Sequence, residues 1–155
     1  MALEIERKFL LSGDGWRAGA LPVRIIQGYL SRDPDRTVRV RRRGDEAFLT
    51  IKGRTEGVTR TEIELTIPPD QADELFALCL RPLIDKTRHL VEFAGSTWEI
   101  DEFHGENEGL IVAEIERPSE EAPFATPPWL GQEVSHDYRY TNSHLSANPY
   151  TTWSE

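Results

Sequence analysis

Charged residues recur two apart along this chain, and in most of these pairs both members carry the same sign. Glu4 with Glu6, Glu62 with Glu64, Glu99 with Asp101, and Glu114 with Glu116 are acidic pairs. Arg39 with Arg41 and Lys86 with Arg88 are basic pairs, and Lys8 and Lys52 add single cations. On a β-strand, residues two apart share a face, so each pair projects from one side of its strand. Such a face is ordinarily the solvated side of an antiparallel sheet. Like charges side by side nevertheless cost energy unless a counter-charge is present, and surfaces shaped only for solubility intersperse signs. If the sheet closes on itself, carboxylates from some strands and cations from others line one cavity. Hard divalent cations prefer carboxylate oxygens, and phosphate oxygens prefer lysine and arginine donors, so that cavity would suit a metal-bound polyphosphate.

The elements that must position these pairs are short strands separated by turns, the pattern of an antiparallel sheet or barrel. Candidate strands are Leu3 to Leu11, Val23 to Ser31, Thr37 to Arg43, Ala47 to Gly53, Thr59 to Ile67, Leu83 to Phe93, Thr97 to Phe103 and Leu110 to Arg117. In the first, Glu4, Glu6 and Lys8 share a face and Leu3, Ile5 and Phe9 take the other. Asp33-Pro34-Asp35, Gly44-Asp45, Glu56-Gly57 and Ala94-Gly95-Ser96 read as turns between them. Pro68-Pro69-Asp70 leads into Gln71 to Leu80, where Ala72, Leu75, Phe76 and Cys79 recur at helical spacing before Pro82. This predicts an amphipathic helix packed on the sheet. Beyond Arg117 the strand pattern fades into a proline-rich stretch, with a short helix expected around Tyr140 to Ala147.

Composition excludes several functions. The 155 residues, 38% of them hydrophobic, fit one domain, 1–155, with an adequate apolar core. A net charge of −9 argues against nonspecific nucleic-acid or acidic-membrane binding, which needs a large positive field. Arg41-Arg42-Arg43 is too short to change that, and strand parity sends Arg42 away from Arg41. No apolar run approaches the roughly 18 residues of a membrane span, and the N-terminal residues lack a secretory pattern. Cys79 is the single cysteine, which rules out an internal disulfide and suits a reducing cytoplasm. His89, His104, His136 and His144 lack close zinc-ligand spacing, and Gly13-Asp14-Gly15 is not followed by the Gly-Lys-Ser/Thr of a phosphate loop. Asp33 with Asp35 and Glu106 with Glu108 lie in loops and read as exposed turn residues.

Glu4-Ile5-Glu6-Arg7-Lys8 resembles the ExExK signature of the CYTH superfamily, the triphosphate tunnel metalloenzymes. It is followed in order by Gln27-Gly28-Tyr29-Leu30, Val38-Arg39-Val40-Arg41, Thr50-Ile51-Lys52, Glu62-Ile63-Glu64, Lys86-Thr87-Arg88, Glu99-Ile100-Asp101 and Glu114-Ile115-Glu116. Gly131-Gln132-Glu133-Val134 and Arg139-Tyr140-Thr141-Asn142 resemble the family's closing segment, so the likeness runs nearly end to end. The resemblance implies an α+β, mostly β fold: an eight-stranded antiparallel barrel, or tunnel, with helices packed outside. It also implies hydrolysis of a triphosphate, as in the inorganic tripolyphosphatase group. Thiamine triphosphatase, class IV adenylate cyclase and a non-catalytic polyphosphate-binding module are the alternatives.

On that resemblance, Lys8, Arg39, Arg41, Lys52, Lys86 and Arg88 are expected to grip the phosphates. Glu4, Glu6, Glu62, Glu64, Asp101, Glu114 and Glu116 are expected to hold Mg²⁺ or Mn²⁺, with Glu99 a further candidate. Glu4, Glu6, Lys8 and Lys52 are the expected catalytic set, and Tyr29 either faces the cavity or packs in the core. The expected partner is a small-molecule triphosphate, acting on a monomer or homodimer with no nucleic acid and no membrane.

Overall fold

The computed structural model describes residues 3–119 and 121–153, without the side chains of Leu3 and Glu4. The strands are β1 (Leu3–Leu11), β2 (Leu21–Ser31), β3 (Arg36–Arg43), β4 (Glu46–Gly53), β5 (Thr59–Ile67), β6 (Leu80–Phe93), β7 (Ser96–Phe103), β8 (Ile111–Glu116) and β9 (Leu130–Glu133). Helix α1 (Pro69–Phe76) joins β5 to β6, and α2 (Asn142–Ala147) follows β9. Neighbouring strands run in the order β5-β4-β3-β2-β6-β7-β8-β1-β9, and a further β5–β1 pairing closes the first eight into an antiparallel barrel. In that seam Leu3 faces Thr61 and Ile5 faces Thr59. No helix among the described residues is long and apolar enough to cross a membrane.

Alternation along each strand divides the barrel wall into two faces, as the sequence predicts. The outward face is mainly apolar, crossed by ion pairs such as Arg7 with Glu133 and Arg24 with Asp85, and is covered in patches. Phe9, Trp98, Ile100 and Ile115 pack with Trp16 and Trp129, while Val40 and Ala47 pack beneath Ala72 and Phe76 of α1. The inward face carries the charges, except at one end. There Leu10, Ile84, Phe103 and Val112 continue the inward parity beyond Lys8, Lys86, Asp101 and Glu114, and pack with Leu145 of α2. Tyr140, Tyr150 and Trp153 back that cluster. The barrel therefore has an apolar plug at one end and a charged lumen above it.

Several boundaries differ from the sequence reading. Helix α1 starts at Pro69 and ends at Phe76 instead of running from Gln71 to Leu80. A proline at the first helical position costs no hydrogen bond and has a helix-compatible φ. At the other end Leu80 is drawn into β6 opposite Tyr29, so Pro82 lies within the strand and is not the helix stop. Cys79 still packs with Ala72 and Phe76. The four-residue β9, which pairs with β1 at Phe9 and Leu11, was not expected as a strand. The C-terminal helix begins at Asn142, not Tyr140, because the Thr141 hydroxyl accepts from the backbone N–H of His144 and caps it.

Candidate active site

The lumen is a cavity of about 310 Å³. Lys8, Arg39, Arg41, Lys52 and Arg88 reach it, as do Glu6, Glu62, Glu64, Glu99, Glu114 and Glu116. Their distribution around the ring is not random. Strands β7, β8, β1 and β5 are consecutive and carry the carboxylates; β6, β2, β3 and β4 are consecutive and carry most of the cations. Lys8 and Arg60 are cations within the acidic half. Strand register brings like charges face to face: Glu6 is opposite Glu116, and Glu99 is opposite Glu114. At the junctions of the halves unlike charges meet, with Lys52 opposite Glu62 and Arg88 opposite Asp101.

A buried ionic cluster forms the floor. The Asp101 carboxylate, 2% exposed, accepts from Lys86 Nζ at 2.7 Å and from Arg88 Nε and Nη2 at 2.8 and 3.0 Å. Lys86 is 0% exposed, and burial pushes its ammonium down to about 7, with Arg88 and Arg41 adding to the effect and Asp101 opposing it. Burial raises the Asp101 pKa, but Arg88 and Lys86 outweigh it and hold the carboxyl well below the usual range. Burial likewise opposes ionisation of Glu114, yet Lys8 and the neighbouring cations bring it down to about 2. Lys8 Nζ lies 3.5 Å from Glu114 Oε1 and donates to the Tyr140 carbonyl at 3.0 Å. Its desolvation is more than offset by Glu114, Glu6 and Asp101, so its pKa is raised.

The basic half retains unused capacity for anions. Burial, then Arg39 and Arg88, push Arg41 down to about 9, the mark of cations crowded out of water without enough counter-charge. Arg41 Nε donates to Gln27 Oε1 at 2.8 Å, and Arg39 Nη2 donates to Thr50 Oγ1 at 3.3 Å. Arg39 Nε is buried without a hydrogen-bond partner in the protein. A buried donor left unmatched costs about 1–3 kcal/mol, which a phosphate oxygen entering the lumen would recover. The acidic half fits a hard divalent cation by donor type, and the opposed Glu6 and Glu116 are the kind of pair a cation relieves. Among the described residues no three His, Cys, Asp or Glu are gathered into a ready-made metal cluster.

Most of the predicted residues thus meet in one space, with three exceptions. The side chain of Glu4 lies outside the described residues. Lys86 and Asp101 do not line the lumen: they pair with each other beneath it, opposite the plug residues Phe103 and Val112 in the strand register. Tyr29 faces the lumen and is buried. Arg42 points outward as its parity requires and donates to Asp73 of α1 at 3.4 Å. Arg43 and Arg60 were missed, although each continues the inward parity of a predicted pair, Arg39 with Arg41 and Glu62 with Glu64. Ser135, Thr141 and Asn142 also reach the lumen, from a segment with no periodicity to signal it.

A closed antiparallel barrel with a charged lumen, basic along one half and acidic along the other, defines a tunnel for a polyanion and its counter-ions. A CYTH domain model matches residues 2–146, and the chain belongs to the CYTH family. It is 49% identical over 156 residues to an inorganic triphosphatase of Acetivibrio thermocellus, covering 100% of both chains. It is 38% identical over 149 residues to an inorganic triphosphatase of Nitrosomonas europaea, covering 92% of this chain and 96% of the other. A crystal structure of an inorganic triphosphatase superposes with a TM-score of 0.67 at 35% identity, covering 92% of this chain and 96% of that one.

Proposed function

We propose that this chain is a divalent-metal-dependent inorganic triphosphatase that hydrolyses tripolyphosphate to pyrophosphate and phosphate. The observation that carries this reading is the division of the lumen into a basic half and an acidic half. A protein that only bound a polyanion would need the first and would be penalised by the second. The names of the two curated relatives support the same substrate class.

In this reading Arg39, Arg41, Lys52 and Arg88 hold the phosphate oxygens from one side and Lys8 from the other, fixing the chain along the tunnel. Lys86 stays beneath them, hydrogen-bonded to Asp101, and Asp101 keeps Lys86 and Arg88 in place instead of holding metal. Glu6, Glu62, Glu64, Glu114 and Glu116, with Glu4, would hold Mg²⁺ or Mn²⁺. When bound, the ion offsets negative charge on the phosphates and makes a bound water more acidic. The water oxygen bonds to a terminal phosphorus, the bridging P–O bond breaks opposite it, pyrophosphate leaves with the bonding electrons, and a proton is released. Lys52 and Lys8, both lining the lumen, add positive charge beside the phosphates. The lone buried cysteine and the composition suit action in a reducing cytoplasm.

The test is phosphate release from tripolyphosphate, thiamine triphosphate and ATP, each with Mg²⁺, with Mn²⁺ and with a chelator. Tripolyphosphate should be the preferred substrate and chelation should abolish turnover. Glu6→Gln should lower kcat at least about 100-fold while leaving KM within a few-fold. Full metal-dependent activity in that variant, or tight binding of tripolyphosphate without turnover in the natural chain, would overturn the reading.

A further inference from the structure

Among the described residues six cations are buried around the tunnel, and strand register gives them two kinds of neighbour. Lys86 and Arg88 share the Asp101 carboxylate, Lys8 Nζ lies 3.5 Å from Glu114 Oε1, and Lys52 Nζ lies 3.4 Å from Glu62 Oε2. Arg39 and Arg41 have no such carboxylate among the described residues and are held by neutral oxygens. Gln27 on β2 stands opposite Arg41 and accepts from its Nε at 2.8 Å. Thr50 on β4 stands opposite Arg39 and accepts from its Nη2 at 3.3 Å. The Thr50 hydroxyl donates its own proton to Glu64 Oε2 at 3.4 Å, which leaves its lone pairs to Arg39. Both neutral residues are 0% exposed and neither lines the lumen, so they reach a ligand there only through the groups they hold.

We propose that Gln27 and Thr50 are positioning residues for the triphosphate: each fixes a guanidinium with a neutral oxygen, so that Arg41 and Arg39 are aimed without being neutralised. This rests on the tunnel being the triphosphate site. Stability alone favours a different residue at position 27. Gln27 Nε2 is buried without a hydrogen-bond partner in the protein. Glutamate has nearly the same shape, replaces that orphaned donor with a second acceptor, and supplies the counter-charge that Arg41 lacks. Burial, then Arg39 and Arg88, bring Arg41 down to about 9, a strain that a carboxylate at position 27 would relieve. Asp101 does this for Arg88: it outweighs the burial penalty and holds the guanidinium well above its ordinary value. An arginine neutralised in that way has less to offer a phosphate oxygen. The amide at position 27 thus keeps the site open for the substrate at a cost to the fold, the trade-off expected where binding needs uncompensated charge.

The experiment measures three quantities in the natural chain and in the Gln27→Glu, Thr50→Val and Thr50→Ser variants. These are the Tm of the free protein, the Kd for tripolyphosphate in a chelator by calorimetry, and kcat and KM with Mg²⁺. Gln27→Glu should melt higher than the natural chain and yet bind more weakly, with Kd and KM raised at least about tenfold by the loss of a charge-assisted contact. Its kcat should stay within about threefold, because Arg41 grips the ground state and the transition state alike. Thr50→Val keeps the shape but not the hydroxyl and should raise Kd and KM several-fold, whereas Thr50→Ser should stay within about twofold of the natural chain. A Gln27→Glu variant that binds tripolyphosphate as tightly as the natural chain overturns the proposal. So does one that melts lower and binds more weakly together, which is the mark of a packing role. Equal impairment in Thr50→Ser and Thr50→Val would trace the effect to the methyl group and overturn the part assigned to Thr50. If the natural chain itself binds no tripolyphosphate, the tunnel assignment fails and this inference fails with it.

Discussion

Replacing Asp101 by asparagine tests the charge balance of the tunnel floor most directly. The carboxylate is the shared counter-ion of Lys86 and Arg88 and has both oxygens engaged, at 2.7 Å to the first and 2.8 and 3.0 Å to the second. Asparagine has nearly the same shape but keeps only one accepting oxygen. Its amide nitrogen points donors at donors, and two buried cations lose their nearest negative charge. Removing one partner of a buried ion pair costs about 3–5 kcal/mol, against a total domain stability of roughly 5–15 kcal/mol. For a domain of this size, 1 kcal/mol moves Tm by about 2–4 °C, so the variant should melt roughly 6–20 °C lower. Thermal unfolding by circular dichroism, with and without tripolyphosphate in a chelator, is the assay. The polyanion replaces the missing negative charge, so it should raise Tm more in Asp101→Asn than in the natural chain. A variant melting within 2 °C of the natural chain would refute the reasoning. So would one whose only defect was weakened metal affinity, which would return Asp101 to the metal ligands.

Two further perturbations follow from the same geometry. Glu114 ionises at about 2 in the folded protein, below its ordinary 4.5, so the unfolded chain takes up its proton first as pH falls. Its contribution, about 3 kcal/mol, is fully present above pH 4.5 and is lost as pH falls towards 2. Urea unfolding between pH 6 and 2 should therefore show a weaker pH dependence in Glu114→Gln, and identical slopes would contradict the pairing with Lys8. Gly28→Ala should destabilise the protein by about 1–3 kcal/mol. A Cβ there would come within 2.6 Å of Leu83 Cδ2 and 2.9 Å of Cys79 Sγ, so the turn after α1 must shift. An unchanged urea midpoint would show that the turn yields freely.

The alternation of charge was legible because side-chain direction in a strand depends only on parity, a local property. That is why Glu6, Arg39, Arg41, Lys52 and Glu114 could be assigned to one face before any strand was placed. Depth along the barrel is not local. Asp101 and Glu114 have the same parity and chemistry, yet Glu114 borders the lumen while Asp101 lies level with Val112 of the plug. Only strand register decides that. The grouping of acidic strands on one side depends on ring order, in which β2 lies beside β6 and β1 beside β8, and pairing of distant segments leaves no trace in either one alone. Strand β9 and the lumen residues near it follow from long-range contacts with β1, where Lys8 donates its backbone N–H to Ser135 Oγ at 2.9 Å. Helix α1 was visible by spacing, but its end was set by competition with β6.

Strand β1 has three partners, β5, β8 and β9, and two of them lie more than a hundred residues downstream. During ribosomal synthesis, Phe9 and the apolar residues around it must therefore wait until almost the whole barrel has been made before their neighbours exist. Closure of so large a loop is slow, and the edge of β1 that meets β8 stays open until β8 docks. The first strand of the barrel is thus secured on both edges only at the end, which makes the β1–β8 seam the natural point for chaperone capture or for mispairing between nascent chains.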